Sequence, residues 1–287
     1  MTTTATYTSY PTRIPQAKDI TLDGGLRLQY VEQGDPAGVP LVLLHGSSDS
    51  WHSYELLLTQ LPHSVHAYAL TQRGHGDADR PLTGYRPEDH AGDVAAFLDA
   101  MGLDAAVVVG HSGGSYSAQR FGLDYPERTL GLVLIGAFHS FSTPAVREFV
   151  EAVDELTDPV DAGFVREFQE STVAEPLPDG FLDRIVAESL KLPARVWKTW
   201  LREMVDAEVP TEAGTIDVTT LILWGNQDAY CVRAHQDAIA AAIPRARLVT
   251  YAGAGHCPHW ERPAAAAKEI VAFAQQQRAR GLASRAS

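Results

Sequence analysis

Short apolar runs recur along this chain, and most are followed by a segment of helical length. Leu41 to Leu44, Val65 to Leu70, Ala105 to Gly110, Leu130 to Ile135 and Thr219 to Leu223 are rich in aliphatic residues and too short for buried helices. Arg247 to Tyr251 reads as a further strand. Residues 18–22 and 26–33 read as two strands joined by Asp23-Gly24-Gly25, a hairpin signal. Between the runs, Trp51 to Leu61, Pro87 to Met101, Ser115 to Leu123, Val232 to Ile243 and Ala264 to Gln275 read as helices. In the second of these Val94, Phe97, Leu98 and Met101 share one face. Strands alternating with helices predict an α/β fold, with a mostly parallel central sheet flanked by helices.

The alternation breaks over residues 139–213. That segment holds several amphipathic patterns and no strand. Val146, Phe149, Val150 and Val153 share one face, Phe181, Leu182, Ile185 and Val186 a second, and Trp197, Trp200, Leu201 and Met204 a third. Pro144, Pro159, Pro178 and Pro193 punctuate the pieces. The predicted organisation is a core of residues 1–138 and 214–287, with a helical cap at 139–213 inserted after the sixth core strand. The alternative is a helical subdomain with a packing role alone.

The chain's 287 residues and 45% hydrophobic content suffice for one large domain with a proper core. A formal net charge of −13 argues against nucleic acid as a partner. The start, Met1 to Pro15, has no basic region and no apolar stretch, so it is not expected to be a secretory signal. No apolar run approaches the ~20 residues needed to cross a bilayer. The two cysteines, Cys231 and Cys257, cannot staple a chain of this size and fit a reducing, cytoplasmic setting. The residues after Ala274 are polar and basic and read as a frayed terminus.

Chemistry concentrates at Gly110-His111-Ser112-Gly113-Gly114. The pentapeptide fits G-x-S-x-G between a β-branched run and a helix, the strand–turn–helix setting of a nucleophilic serine. The strained turn needs small neighbours, which the three glycines supply. A nucleophilic serine needs a base, and the base needs a group to orient it. Of the eleven histidines, His45, His75 and His111 lie in turns that suggest structural roles. His256 instead lies in a glycine-rich loop directly after the last strand, where α/β sheets place their ligands. Asp228 follows the strand at Leu221 to Leu223, whereas Gly136-Ala137-Phe138-His139 offers no carboxylate. The candidate catalytic residues are therefore Ser112 as nucleophile, His256 as general base and Asp228 as its orienting acid. The Gly113 amide is a candidate oxyanion donor.

The order serine, acid, histidine resembles that of the α/β-hydrolases. The resemblance runs from about residue 18 to 276. Leu43-Leu44-His45-Gly46-Ser47 is similar to the family's oxyanion loop, Arg73-Gly74-His75-Gly76-Asp77 to its glycine-rich turn, and Gly253 to Pro263 to its histidine loop. It implies the Ser47 amide as second oxyanion donor and an acyl-enzyme mechanism. The expected activity is hydrolysis of carboxylic esters or lactones of small to medium apolar substrates. Departures narrow the branch. Epoxide hydrolases and haloalkane dehalogenases carry aspartate at the elbow, where this chain has Ser112. Gly46-Ser47-Ser48-Asp49 lacks the Gly-Gly-Pro-Gly of prolyl aminopeptidases and the glycine-rich loop of carbon–carbon bond hydrolases. Thr71, followed by Gln72, stands where the family usually has aspartate.

Ser48, Trp51, Phe149, Trp197, Trp200 and Tyr230 are candidate substrate contacts, although a tryptophan pair at helical spacing is more often core. Cys257 reads as a small buried filler. No metal-ligand spacing, phosphate loop or dinucleotide fingerprint occurs, so no cofactor and no metal are expected. The expected partner is a small-molecule ester or lactone, with no nucleic acid and no membrane. Two other readings stay open: a cofactor-free oxygenase or lyase, and a small-molecule receptor with a moving cap. Oxygenases of this fold tend to carry histidine after the serine, where this chain has Gly113.

Overall fold

The structure is a computed structural model that describes residues 15–285, with side chains to residue 280. The expectation about a leader falls mostly on residues 1–14, outside the described residues, as do the outermost ends of the core boundaries.

Eight strands form one sheet: β1 (Lys18–Thr21), β2 (Arg27–Gly34), β3 (Val39–Leu44), β4 (Val65–Thr71), β5 (Ala106–His111), β6 (Thr129–Ile135), β7 (Thr220–Gly225) and β8 (Ala246–Tyr251). Their order is β1-β2-β4-β3-β5-β6-β7-β8. β1 and β2 pair antiparallel, as do β2 and β4; every other pairing is parallel. The parallel strands carry apolar residues at nearly every position because both faces are covered. Side chains alternate across the sheet, and the core divides accordingly. Val42, Leu44, Val108, Leu132, Leu134 and Ile222 face Phe97, Phe121 and Ile239 from three helices. Leu41, Leu43, Val107, Val109, Val133 and Leu223 face Tyr54, Leu57 and, from the closing helix, Ile270 and Phe273.

The helical expectation for Trp51 to Leu61 is shortened. A tight turn Trp51–Tyr54, capped by the Ser50 hydroxyl, leads into one short helix, Glu55–Leu58. The frayed C-terminus is corrected: the closing helix runs Pro263–Arg285. It continues because it still has the sheet to lie on. Gln277 is buried, and a Cβ on Gly131 of β6 would meet Phe273 at 2.8 Å and Gln277 at 3.0 Å.

Residues 139–213 contain five helices and no strand, lying between β6 and β7. They are Pro144–Asp154, Ala162–Ser171, Phe181–Ser189, Ala194–Asp206 and Pro210–Ala213. Proline opens the first and the last, and Pro193 is the N-cap residue of the fourth. Phe141, Val146, Val153, Val165, Trp197, Trp200 and Leu201 form a separate apolar cluster. Among the described residues no helix is long and apolar enough to cross a membrane.

Candidate active site

Parallel strands end on one edge of the sheet, and the three expected catalytic residues follow the ends of β5, β7 and β8. Ser112 leaves β5 with φ 52° and ψ −119°, a left-handed conformation rare for a residue with a side chain. Its N–H donates to the Ile135 carbonyl at 3.0 Å, and its carbonyl accepts from the Ser115 N–H at 2.9 Å. The turn is this sharp because its neighbours lack Cβ atoms. A Cβ on Gly110 would stand 2.2 Å from the Gly114 carbonyl oxygen, and one on Gly114 would stand 2.3 Å from that of Leu44. The helix Gly113–Asp124 begins at once, so Ser112 sits at its N-terminus.

His256 and Asp228 meet through Nδ1 and Oδ2 at 2.9 Å. The other Asp228 oxygen accepts the amides of Tyr230 at 2.9 Å and Cys231 at 2.8 Å. Burial pushes the Asp228 carboxyl up, but the adjacent His256 and the two amides outweigh it and hold the carboxyl below its ordinary value. The His256 amide donates to the Thr172 carbonyl at 2.9 Å, so the helical segment holds the histidine's main chain. Ser112 and His256 line one cavity, with no direct hydrogen bond between them among the described residues. Such bonds are commonly loose before substrate binds.

Ser47 is half-buried and lines the same cavity. Its neighbour Ser48 also has positive φ, 60°, a sharp turn in the loop backbone. A Cβ on Gly113 would lie 3.6 Å from the Ser47 hydroxyl, so the two residues whose amides are candidate oxyanion donors are neighbours. The departure at residues 71 and 72 has a structural account. Gln72 latches His45 at the head of this loop: its amide donates to His45 Nε2 at 3.0 Å and its side chain to the His45 carbonyl at 2.8 Å. Thr71 accepts from the Trp51 amide at 3.2 Å.

The cavity over Ser112 encloses about 40 Å³. Its apolar wall comes from Phe138, Phe141, Val146, Phe149, Phe168 and Leu201, and its polar end from Asp49, Gln169 and Thr172. Phe149 and Tyr230, both candidate substrate contacts, line this cavity. Ser48, Trp197 and Trp200 instead line a smaller cavity of about 10 Å³ beside Ser47. Trp51 lies in neither cavity. It is buried in the core and its indole donates to Gln29 at 3.2 Å.

Asp49, Gln169, Phe168 and Thr172 were not singled out by the sequence. Helix Ala162–Ser171 brings in Gln169 and Phe168, its C-cap residue is Thr172, and no motif marks them. Asp49 is 2% exposed and accepts from Gln169 at 3.0 Å and Ser53 at 3.3 Å. Burial pushes its carboxyl up to about 7 against those hydrogen bonds.

Both cysteines are free and buried. Asp228, Cys231 and His256 are the one group among the described residues with three metal-ligating atoms within 4.8 Å of one another. The arrangement suits a metal poorly. Both Asp228 oxygens are already engaged, one by the Tyr230 and Cys231 amides and the other by His256 Nδ1.

Comparison with known proteins agrees with this architecture. Residues 41–269 match the model of the alpha/beta hydrolase family. A Bacillus subtilis (strain 168) protein whose name, 2-succinyl-6-hydroxy-2,4-cyclohexadiene-1-carboxylate synthase, is itself provisional shares 28% identity, over 89% of this chain and 97% of its own. Human epoxide hydrolase 4 shares 31% identity over 41% of this chain, which spans 33% of that protein. An esterase from Rhodococcus sp. ECU1013 superposes with a TM-score of 0.79 at 27% identity, covering 90% of this chain and 98% of its own. The chain belongs to the α/β-hydrolase family.

Proposed function

We propose that the protein is a serine hydrolase of carboxylic esters, lactones included, acting on small to medium apolar substrates. The observation that carries this reading is the joining of a strained Ser112 to a hydrogen-bonded His256–Asp228 pair on one apolar cavity. In this reading Ser112 Oγ attacks the acyl carbonyl while His256 Nε2 takes its proton. Asp228 holds the Nδ1–H tautomer and stabilises the imidazolium. The developing oxyanion meets the Gly113 and Ser47 amides, each worth ~3 kcal/mol of barrier. His256 then protonates the departing alkoxide, and a water deprotonated by His256 releases the acid from Ser112.

Residues 139–213 act as a cap that closes the cavity with Val146, Phe149, Phe168 and Leu201. The apolar wall of Phe138, Phe141, Val146, Phe149, Phe168 and Leu201 favours an apolar acyl group. An esterase among the structural relatives supports the reaction class. Relatives named for epoxide hydrolysis, such as human epoxide hydrolase 4, leave the choice to the elbow residue, which here is a serine. The test is a panel of short p-nitrophenyl esters and small lactones on wild type and Ser112→Ala. A burst of p-nitrophenol from wild type, absent from a folded Ser112→Ala, is the expected result. Equal turnover by both overturns the reading.

A further inference from the structure

Glu261 is a buried carboxylate that the mechanism above does not use. It ends the short helix Pro258–Glu261 beyond His256 and is 2% exposed. No lysine or arginine pairs with it among the described residues. Main-chain amides surround it instead. The Gly255 N–H donates to both oxygens, at 2.8 and 3.1 Å. The amides of Ala174 and Glu175 donate to Oε2 at 3.1 and 3.0 Å.

These amides belong to two different parts of the molecule. Gly255 directly precedes His256 in the loop after β8. Ala174 and Glu175 belong to the helical segment, just beyond helix Ala162–Ser171. The two pieces touch so closely that a Cβ on Gly255 would lie 2.8 Å from the Ala174 nitrogen and 3.0 Å from the Thr172 carbonyl oxygen. The Thr172 carbonyl in turn accepts the His256 amide. An Arg262–Glu175 ion pair crosses the same seam.

We infer that Glu261 is a positioning residue for His256, clipping the histidine loop to residues 172–175 of the helical segment. Asp228 orients the imidazole ring, but the ring is only as well placed as its main chain. That main chain is held from the helical segment, and Glu261 holds the segment. Helix Ala162–Ser171, which carries Phe168 and Gln169 into the cavity, is thereby fastened to the base it covers. A glutamine retains the length of the side chain but has one acceptor oxygen, and its NH2 group faces an amide N–H. An ångström of misplacement at a catalytic group costs on the order of 100-fold in rate.

The inference rests on the hydrolase reading, because it takes His256 as the base. The experiment compares wild type, Glu261→Gln and a control, Phe97→Leu, which loosens the core on the sheet face opposite the closing helix. Three readings are taken: kcat and KM on a short p-nitrophenyl ester, the rate of Ser112 labelling by a fluorophosphonate, and the proton resonance of the His256 Nδ1–H. The expected result for Glu261→Gln is a kcat and a labelling rate lowered about 10- to 100-fold, with KM within about threefold and the Nδ1–H resonance shifted or broadened. The control, matched in loss of Tm, should keep kcat and the resonance. If Glu261→Gln is folded and keeps wild-type kcat and labelling, or if the control loses both to the same extent, the positioning role is overturned. Should Glu261→Gln not fold, Gly255→Ala separates the same two pieces and is read the same way. A wild type that neither labels nor turns over ester refutes the hydrolase reading itself, whereas a wild-type rate in the variants refutes the clip alone.

Discussion

The Trp200 ring lies against Gly113 so closely that a Cβ on the glycine would stand 2.5 Å from Cζ2 of the indole. The contact joins the helical segment to the residue after the elbow serine. It makes glycine the side chain that fits there, for reasons of packing from above rather than backbone conformation. Gly113→Ala is expected to lower kcat about 100-fold or more, by pushing apart Trp200 and a candidate oxyanion amide. Trp200→Ala in the Gly113→Ala background should recover at least about tenfold, because it removes the clash. A double variant no faster than the single one places the damage in the elbow itself. Steady-state kinetics on one ester across the four proteins of the cycle decides this.

Asp228→Asn should lower kcat about 10⁴-fold while leaving the protein folded. The asparagine carbonyl can still accept the Tyr230 and Cys231 amides, but its NH2 then faces His256 Nδ1 and selects the wrong tautomer. The same substitution changes stability at low pH. Asp228 is held below its ordinary pKa in the folded state, so its contribution is present above that ordinary value and lost as pH falls through the lowered one. Wild type should therefore lose its stability advantage over Asp228→Asn on acidification. Denaturant melts from pH 6 down to about pH 3 test this. An advantage that does not shrink over this range contradicts the assignment.

Asp49 has the opposite sign. Burial raises its carboxyl to about 7, so between pH 4 and 7 the folded state retains a proton that the unfolded chain has released. Its stability contribution falls as pH rises through that window and is lowest above it. Asp49→Asn removes the cost of burying the charge and can still accept from Gln169. The variant is expected to match wild type near pH 4 and to exceed it above pH 7, by up to about 4 kcal/mol. Thermal melts at pH 5 and 8 measure the difference. A variant less stable than wild type at pH 8 counts against a raised carboxyl.

Phe149 lines both cavities and is only partly buried, so truncation there enlarges the site at small cost to the core. Phe149→Ala should raise the kcat/KM ratio of octanoyl to acetyl p-nitrophenyl ester about tenfold or more, since each methylene accommodated is worth ~1 kcal/mol or more. An unchanged ratio means that the acyl chain does not reach this wall.

The parallel sheet, the sharp turn at Ser112 and the Asp228–His256 pair are legible in the chain itself because each rests on local rules. Alternating apolar runs and helices admit few topologies, and parallel strands deliver the loops after β5, β7 and β8 to one edge. Gly110 and Gly114 mark a sharp turn wherever they occur, and the structure shows the backbone they approach. The end of the closing helix is not legible in sequence because its polar, basic composition conceals the packing of Gln277 against Gly131, a contact made only by the folded sheet. Trp51 is close in sequence to the loop at residues 46–48, yet the turn Trp51–Tyr54 sends it into the core.

The chain by itself determined the α/β architecture and brought Ser112, Asp228 and His256 to one edge of the sheet, because periodicity and strand-end position are properties of short segments. The tertiary structure alone decided what surrounds them. The Asp49–Gln169 bond and the hydrogen bonds from Gly255, Ala174 and Glu175 to Glu261 depend on how residues 139–213 pack against the rest of the chain, and side chains far apart in sequence meet there only after both pieces have folded.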